Sequence, residues 1–541
     1  MKRILSVFLI LLIAVQSFSL IGCTENKTDS GNVIRVCNCE DYIDEDLLAE
    51  FEEETGIKVI YSTYGTNENL YNELVINPNS YDLVVPSEYM IEKLAEEGRI
   101  QKLNFEKLPD YKNNVSKYID DRLNNLRFTI KSGEYEGEEV ALSEFMVGYM
   151  WGTMGWVYDT ENVSIEEVKS WTAVFDNPTL NKRITIKDAV RDSYIVGLAM
   201  VYGDELRGVN DNATITKILN RVDQASIDKV GEKLASFKEK LYGFEVDSGK
   251  NDIINDRIDA YVAWSGDAAY AIDVASGEVE DEDGSFVENA SSLSYYIPDE
   301  GSNIWFDGFV MPSGSKNYDA VYKFLEFISR PETVYRNMNY TGYTGMVANG
   351  EFMMEDEDGT EYETTIFDEI LIGWFDESEY LAEELSELPE YEDKSFEEIL
   401  DIVANFSEEE IIDNGYVLAD LKEFEYFFGE ISDDYRLIIS ESSWGRLLAQ
   451  YPTADIVERC AIMNNFDSET LLSINEMWET VKGETFPLWL ILLIVGLVIL
   501  LAVVMVLYRN KEKIKWFKLP ERKTTYAERK GYKILKKENI I

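Results

Sequence analysis

Between Asn38 and Tyr89, short and nearly all-apolar strands alternate with amphipathic helices, and this alternation leaves the chain few folds to choose from. Ile57–Tyr61 and Tyr81–Val85 read as strands, the second stopping at Pro86. A helix begins near Asp44, whose carboxylate caps free amides. It carries Leu47, Leu48 and Phe51 on one stripe and ends before Gly56. Strands buried on both faces and separated by helices belong to a parallel α/β sheet, which takes its ligands beyond the carboxyl ends of the strands. At those ends this chain places carboxylates and rings: Asn38-Cys39-Glu40-Asp41-Tyr42 after the first strand, and Ser87-Glu88-Tyr89 after Pro86. A small organic cation suits such turns.

The two ends of the chain address it to a membrane. Lys2 and Arg3, an apolar run from Ile4 to Val15 and then small and polar residues form a secretion signal over residues 1–22. Its last residues, Leu20-Ile21-Gly22-Cys23, resemble the bacterial lipobox, which implies that Cys23 is lipidated and heads a tether over residues 23–32. Phe486–Tyr508 contains no charge, and about 20 such residues span a bilayer as a helix. Trp489 and Tyr508 stand where interfacial rings belong. Residues 509–541 hold twelve Lys and Arg against four acids, so the tail is expected in the cytoplasm and Cys23–Thr485 outside.

The formal charge of −53 understates the exterior. Taking away the eight net positive charges of the tail and two of the leader leaves −63 on Cys23–Thr485. Such a field concentrates cationic solutes and repels nucleic acid. The chain has no histidine, which excludes an ordinary zinc site and a Ser-His-Asp triad. With Cys23 lipidated, Cys37, Cys39 and Cys460 remain, an odd set that argues against a disulfide framework. Gly243–Lys250 imitates a phosphate loop, but its glycine spacing is one too long and Asn251 replaces the Ser or Thr. The acidic runs Glu278–Gly284 and Glu355–Gly359 lack the first and twelfth ligands of an EF-hand and read as turns. Neither a metal nor a cofactor is expected.

Three segments carry a family resemblance. Asn38–Tyr42, Thr55–Tyr64 and Tyr81–Ser87 together resemble the first lobe of the spermidine/putrescine-binding proteins, the substrate-capturing lipoproteins of polyamine ABC importers. Phe145–Gly155 resembles the segment in which that family crosses to its second lobe. Trp264-Ser265-Gly266-Asp267 resembles its strand-exit Trp, Ile304–Pro312 its Trp-x-Asp pair, and Thr341–Gly345 its last ligand-facing loop. The resemblance covers most of Val33–Val347. It returns at Tyr451-Pro452 and Met477–Val481, placing Met463 where the family has a polar ligand contact.

The resemblance implies a two-lobed, type II periplasmic-binding-protein-like α/β fold with a ligand cleft between the lobes. Lobe one would comprise residues 33–148 and 303–346, and lobe two residues 149–302 and 347–485 with an acidic insertion at about 350–445. It further implies a non-enzymatic function: extracellular capture of spermidine or putrescine and delivery to permease subunits and their ATPase. A tethered sensor, or a binder of another cationic amine, is the competing reading.

A polyamine needs carboxylates for its ammoniums and aromatic faces for its methylenes, each ring contact contributing roughly 0.5–2 kcal/mol. The family pattern assigns the acids to Asp41, Asp192 and Asp307 and the walls to Tyr42, Tyr89, Trp264, Trp305 and Tyr343, with Ser87 adding a hydroxyl. A second acid of the Asp192 region falls at Ala189 or, one register over, at Asp188. Where the family's first turn has Trp, this chain has Cys39 followed by Glu40.

Overall fold

The computed structural model describes residues 32–280, 286–288, 292–356 and 359–483. Cys23, the apolar stretch Phe486–Tyr508 and the basic tail lie outside them. Among the described residues, no helix is long and apolar enough to cross a membrane.

The first sheet half follows the expected alternation. Strand β1 (Val33–Cys39) lies between β2 (Lys58–Tyr64) and β3 (Leu83–Val84), parallel to both. Helix α1 (Glu45–Thr55) connects β1 to β2. Asp44 caps its first turn by accepting from the Asp46 amide, Leu47, Leu48 and Phe51 face the core, and Gly56 ends it at φ 69°. Helix α2 (Asn67–Ile76) precedes β3, and α3 (Glu88–Glu96) follows Ser87.

Strand β4 (Met146–Asp159) runs through the centre of the molecule with all residues but Asp159 buried. Beyond it the second half repeats the pattern. Strand β5 (Ile184–Lys187) leads into helix α4 (Val190–Leu206), β6 (Gly243–Glu245) into α5 (Gly249–Ile254), and β7 (Ala260–Trp264) into α6 (Ser265–Ala275). Strand β8 (Ser302–Val310) then returns antiparallel along β4 and touches β3 through Val310 and Val84. The order across the main path is β2-β1-β3-β8-β4-β7-β5-β6.

Both halves of the sheet hang on β4. Its residues from Met146 to Thr153 pair with β8, and those from Met154 to Tyr158 pair with β7. Phe145–Gly155 is therefore the crossing between the halves, as the sequence leads one to expect. The β8–β4 register slips between Asp307 and Gly308, an irregularity of the kind that re-aims a side chain. Gly152 of β4 is required by packing: a Cβ there would lie 2.6 Å from the Trp305 ring and 2.3 Å from Ser265 Oγ.

The acidic insertion is an ordered body. It comprises a hairpin (Glu351–Glu355 with Glu361–Thr365), the helices Ser378–Ser386, Phe396–Val403 and Glu408–Asp413, and a small core of Leu381, Leu385, Ile399, Val403, Ile411 and Ile438. Aromatic contacts hold it on both sides of the expected lobe boundary. Phe427 stacks on Trp151 with centroids 5.4 Å apart, Tyr426 meets the edge of Tyr118 at 5.0 Å, and Ser116 Oγ donates to the Phe427 carbonyl at 2.8 Å. Cys37, Cys39 and Cys460 are free thiols.

Trp151 is fully buried under that stack. Trp151→Ala is expected to cost about 3–5 kcal/mol of unfolding free energy, read from the denaturant midpoint. A loss below about 1 kcal/mol would contradict this packing.

Candidate functional site

The carboxyl ends of the strands in both halves converge on a seam, and nearly all the expected site residues meet there. The first turn is fixed from inside. Asn38 is fully buried, its Oδ1 accepts from the Cys39 amide at 2.9 Å, and its Nδ2 donates to the Tyr42 carbonyl at 3.5 Å. Tyr149 also donates its hydroxyl to that carbonyl, and Asn337 donates to Tyr149 at 2.8 Å while accepting from the Asp44 amide at 2.9 Å. Tyr42 is thereby held with its ring in the seam.

Asp307 is the centre of the arrangement. It is 8 % exposed, accepts from the Tyr42 hydroxyl at 2.8 Å through Oδ2, and at Oδ1 has no hydrogen-bond partner among the described residues. The Ser87 backbone bridges to Asp307, and Asn67 fixes Ser87 from behind through its amide nitrogen and its carbonyl. Burial pushes the Asp307 carboxyl up to about 6, the Ser87 and Tyr42 hydroxyls oppose the shift, and the nearby Asp192 charge adds to it.

Asp192, in the first turn of α4, faces Asp307 from the other half. Trp264 Nε1 donates to its Oδ1 at 3.5 Å, and burial raises this carboxyl to about 6 as well. Neither Asp192 nor Asp307 has an ion-pair partner within 4.0 Å among the described residues.

The rings form a continuous wall between these acids and a second acidic group. Tyr42 meets Tyr343 edge-on at 4.8 Å, and Tyr343 lies 5.8 Å from Trp305, whose Nε1 is buried without a partner. Gly266 permits this contact, because a Cβ there would lie 2.2 Å from the Tyr343 ring. The Tyr343 hydroxyl donates to Asp267 Oδ1 at 3.0 Å.

Two expected residues stand differently. Asp41, at φ 51°, has its side chain 78 % exposed and 3.9 Å from Lys250, away from Asp307. Tyr89 lies in the seam, but Arg191 covers its ring with the guanidinium 4.6 Å from the centroid, and the Tyr89 hydroxyl donates to Glu68 at 3.2 Å. The alternative acid Asp188 turns toward the C-terminal helix, where Trp478 Nε1 donates to it at 3.1 Å. Met463 is buried.

Several seam residues were not among those expected. Asp267 is 3 % exposed and receives Lys187 at 3.3 Å and Lys250 at 3.6 Å. Glu88 is 2 % exposed. Its Oε2 accepts from the Phe306 amide at 2.9 Å, its Oε1 has no partner, and burial raises it to about 8. Arg191 sits between Tyr89 and Phe466, 3.9 Å from the second ring. Asp267 does lie in the strand-exit segment that the resemblance marks. Lys187 and Lys250 carry no local signal, because ordinary surface lysines look the same in sequence. Cys39 lies beside Asp307, and burial, with help from that carboxylate, holds its thiol up at about 12. Among the described residues no group of acids and cysteines is arranged to hold a metal.

Two α/β halves joined by crossing strands, with buried acids and rings in the seam, define a ligand-capturing receptor. The matches to known proteins agree. Residues 46–350 match the family model of bacterial extracellular solute-binding proteins, and the chain belongs to that family. It is 29 % identical over 306 residues to the putrescine-binding periplasmic protein PotF of Escherichia coli, covering 56 % of this chain and 74 % of that one. It is 25 % identical over 324 residues to the spermidine/putrescine-binding periplasmic protein of Salmonella typhimurium, covering 60 % and 80 %. Among solved structures, a putative spermidine/putrescine ABC transporter protein from Listeria monocytogenes superposes with a TM-score of 0.52 at 24 % identity, over 83 % of this chain and 99 % of that one. The protein is thus a solute-binding receptor, and its relatives are binding proteins, not enzymes.

The raised carboxyls give the protein a definite pH response. A folded pKa near 6 against about 3.9 in the unfolded chain means that the folded state holds the extra proton between those values, so stability falls as pH rises through that window. Asp307→Asn is therefore expected to be more stable than the native protein at pH 8, the advantage vanishing below about pH 4. Denaturant midpoints across pH 4–8 measure it. An advantage that grows toward acid would contradict the assignment.

Proposed function

We propose that this protein captures a polyamine, spermidine or putrescine, in the seam between its halves and serves as the external binding component of an ABC importer. The observation that carries the reading is the pair Asp192 and Asp307, buried with no direct ion-pair partner among the described residues and flanked by Trp264, Trp305, Tyr42 and Tyr343; the charges of Lys187 and Arg191 reach Asp192 only from a distance. An ammonium leaving water needs a carboxylate, and a carboxylate already buried needs a cation. Rings pack on the methylenes between the amines and attract the ammoniums at their ends. The relatives named for putrescine and spermidine support the same ligand class. Ser87 is assigned a supporting hydroxyl. Asp41, with its exposed side chain, is assigned a place at the cleft mouth, where it attracts the ligand before closure.

The mature protein is proposed to be held at the outer membrane surface by a lipid on Cys23 and by a helix over Phe486–Tyr508, with the basic tail inside and permease subunits as its docking partners. The sequence supports this through the lipobox-like Leu20–Cys23 and the uncharged stretch flanked by Trp489 and Arg509. Cys23→Ala and a deletion of residues 486–541 are each expected to leave the protein in the membrane fraction, and the two together to release it. Release by either change alone would show that the other anchor is not one.

Calorimetry on the full chain in detergent tests the ligand. At least one of the two amines is expected to bind, and Asp307→Asn is expected to lower its affinity tenfold or more. Affinity should also fall as pH drops from 7.5 through 6, because protonation of Asp192 and Asp307 removes the charge that the ammoniums need. No heat with either amine would contradict the proposal.

A further inference from the structure

The far end of the ring wall is already supplied with cations. Lys187, at the end of β5, is 1 % exposed; it donates to the Val246 carbonyl at 2.9 Å and to Asp267 at 3.3 Å, and Glu245 lies 3.5 Å away as an ion-pair neighbour. Its ammonium lies 4.0 Å from the centroid of the Trp264 ring. Lys250, in α5, reaches the same place with 13 % of its side chain exposed. It contacts Asp247 at 3.0 Å, Asp267 at 3.6 Å and, from the other sheet half, Asp41 at 3.9 Å. An ammonium over a tryptophan face and against a buried carboxylate is the contact that a ligand amine would make, and here the chain makes it with its own side chains.

The acids of the seam thus fall into two groups. Among the described residues Asp192 and Asp307 have no direct ion-pair partner, and Asp307 Oδ1 and Trp305 Nε1 lack hydrogen-bond partners, although the charges of Lys187 and Arg191 favour the ionised Asp192 from a distance. Asp267 is satisfied by Lys187, Lys250 and the Tyr343 hydroxyl. The ring wall connects them, from Asp307 through Trp305 and Tyr343 to Asp267. An amine chain lying along that wall from Asp307 would bring its far end against two ammoniums, one buried and one partly buried. Like charges juxtaposed without intervening water disfavour binding strongly, and a repulsive element of this kind is an effective means of rejecting one ligand in favour of another.

We propose that Lys187 and Lys250 are specificity residues that close the Asp267 end of the cleft to cations, so that the site selects a short diamine, held by Asp192 and Asp307, over a longer triamine. The selection rests on the amine-binding reading above and narrows it. Lys187 is the fixed member, because β5 positions its backbone and two acceptors, with the ion-paired Glu245 carboxylate, hold its ammonium. Lys250 is the adjustable one, since it touches both halves of the molecule and its Asp41 contact spans the closed cleft.

Calorimetric titration of the full chain with putrescine and with spermidine, on the native protein and on Lys250→Met, tests this. The native protein is expected to bind putrescine at least tenfold more tightly than spermidine. Lys250→Met is expected to tighten spermidine at least tenfold and to change putrescine less than threefold. Lys187→Met should move the preference the same way if it folds, as read by its circular dichroism melt; Lys250→Met decides the matter if it does not. Equal affinity for the two amines in the native protein, tighter spermidine binding there, or an unchanged preference in a folded Lys250→Met would overturn the proposal while leaving the amine-binding reading intact. Failure of the native protein to bind either amine would instead remove the reading on which it rests.

Discussion

The seam is organised by the burial of two carboxylates, Asp192 and Asp307, with no cation in direct contact with either among the described residues. Removing an ionised group from water costs several kcal/mol unless something compensates, and the direct compensation here comes from neutral hydrogen-bond donors. Tyr42 donates one hydroxyl to Asp307, and Trp264 donates one indole N–H, at 3.5 Å, to Asp192. The result is a pair of carboxyls that hold protons up to about pH 6. A site of this kind favours whatever positive group enters it, and perturbed acids concentrated in one place are a recognised mark of function.

The sheet topology explains how such a pair persists. Asp307 sits on β8 at a register irregularity, with β4 on one side and β3 and the Ser87 bridge on the other. Asp192 sits in the first turn of α4, at the carboxyl end of β5. Asp307 cannot move without disturbing a central strand, and Asp192 is anchored by a helix most of whose residues are buried. Glu88 strengthens this frame by accepting from the Phe306 amide, which ties α3 to β8 one residue from Asp307. The opposite strategy operates at Asp267, where Lys187 and Lys250 neutralise the charge inside the chain. One cleft therefore contains two acids with no direct ion pair and one acid neutralised by two lysines, and this contrast governs which ligands fit.

Much of this was legible in the sequence because the informative residues lie at strand ends. The Asp44 cap, the Leu47, Leu48 and Phe51 stripe and the Gly56 stop describe α1 as it stands. The turns after β1 and β3 and the Trp-x-Asp pair on β8 led to Tyr42, Ser87, Trp305 and Asp307, which do meet. Asp41 shares that turn, but a positive φ carries its side chain toward solvent, and nothing in the residue order distinguishes it from its neighbour Tyr42. Lys187, Lys250 and Arg191 were missed for a different reason. Their burial arises from contacts between residues as distant as Lys250 and Asp41, or Arg191 and Phe466, which no local pattern encodes. The lysine of the phosphate-loop imitation, Lys250, stands among the seam acids Asp41, Asp247 and Asp267. The insertion was visible as a break in the family pattern, but its seat on Trp151 and Tyr118 depends on aromatic packing across the expected lobe boundary.

The most direct test of the central claim is a crystal structure of the protein grown with putrescine. The account predicts one ammonium at hydrogen-bonding distance from Asp307 Oδ1, a second against Asp192, and the methylenes between Trp264 and Trp305. Density for the amine elsewhere, or a seam unchanged and still closed by its own side chains with the amine bound outside it, would contradict the account.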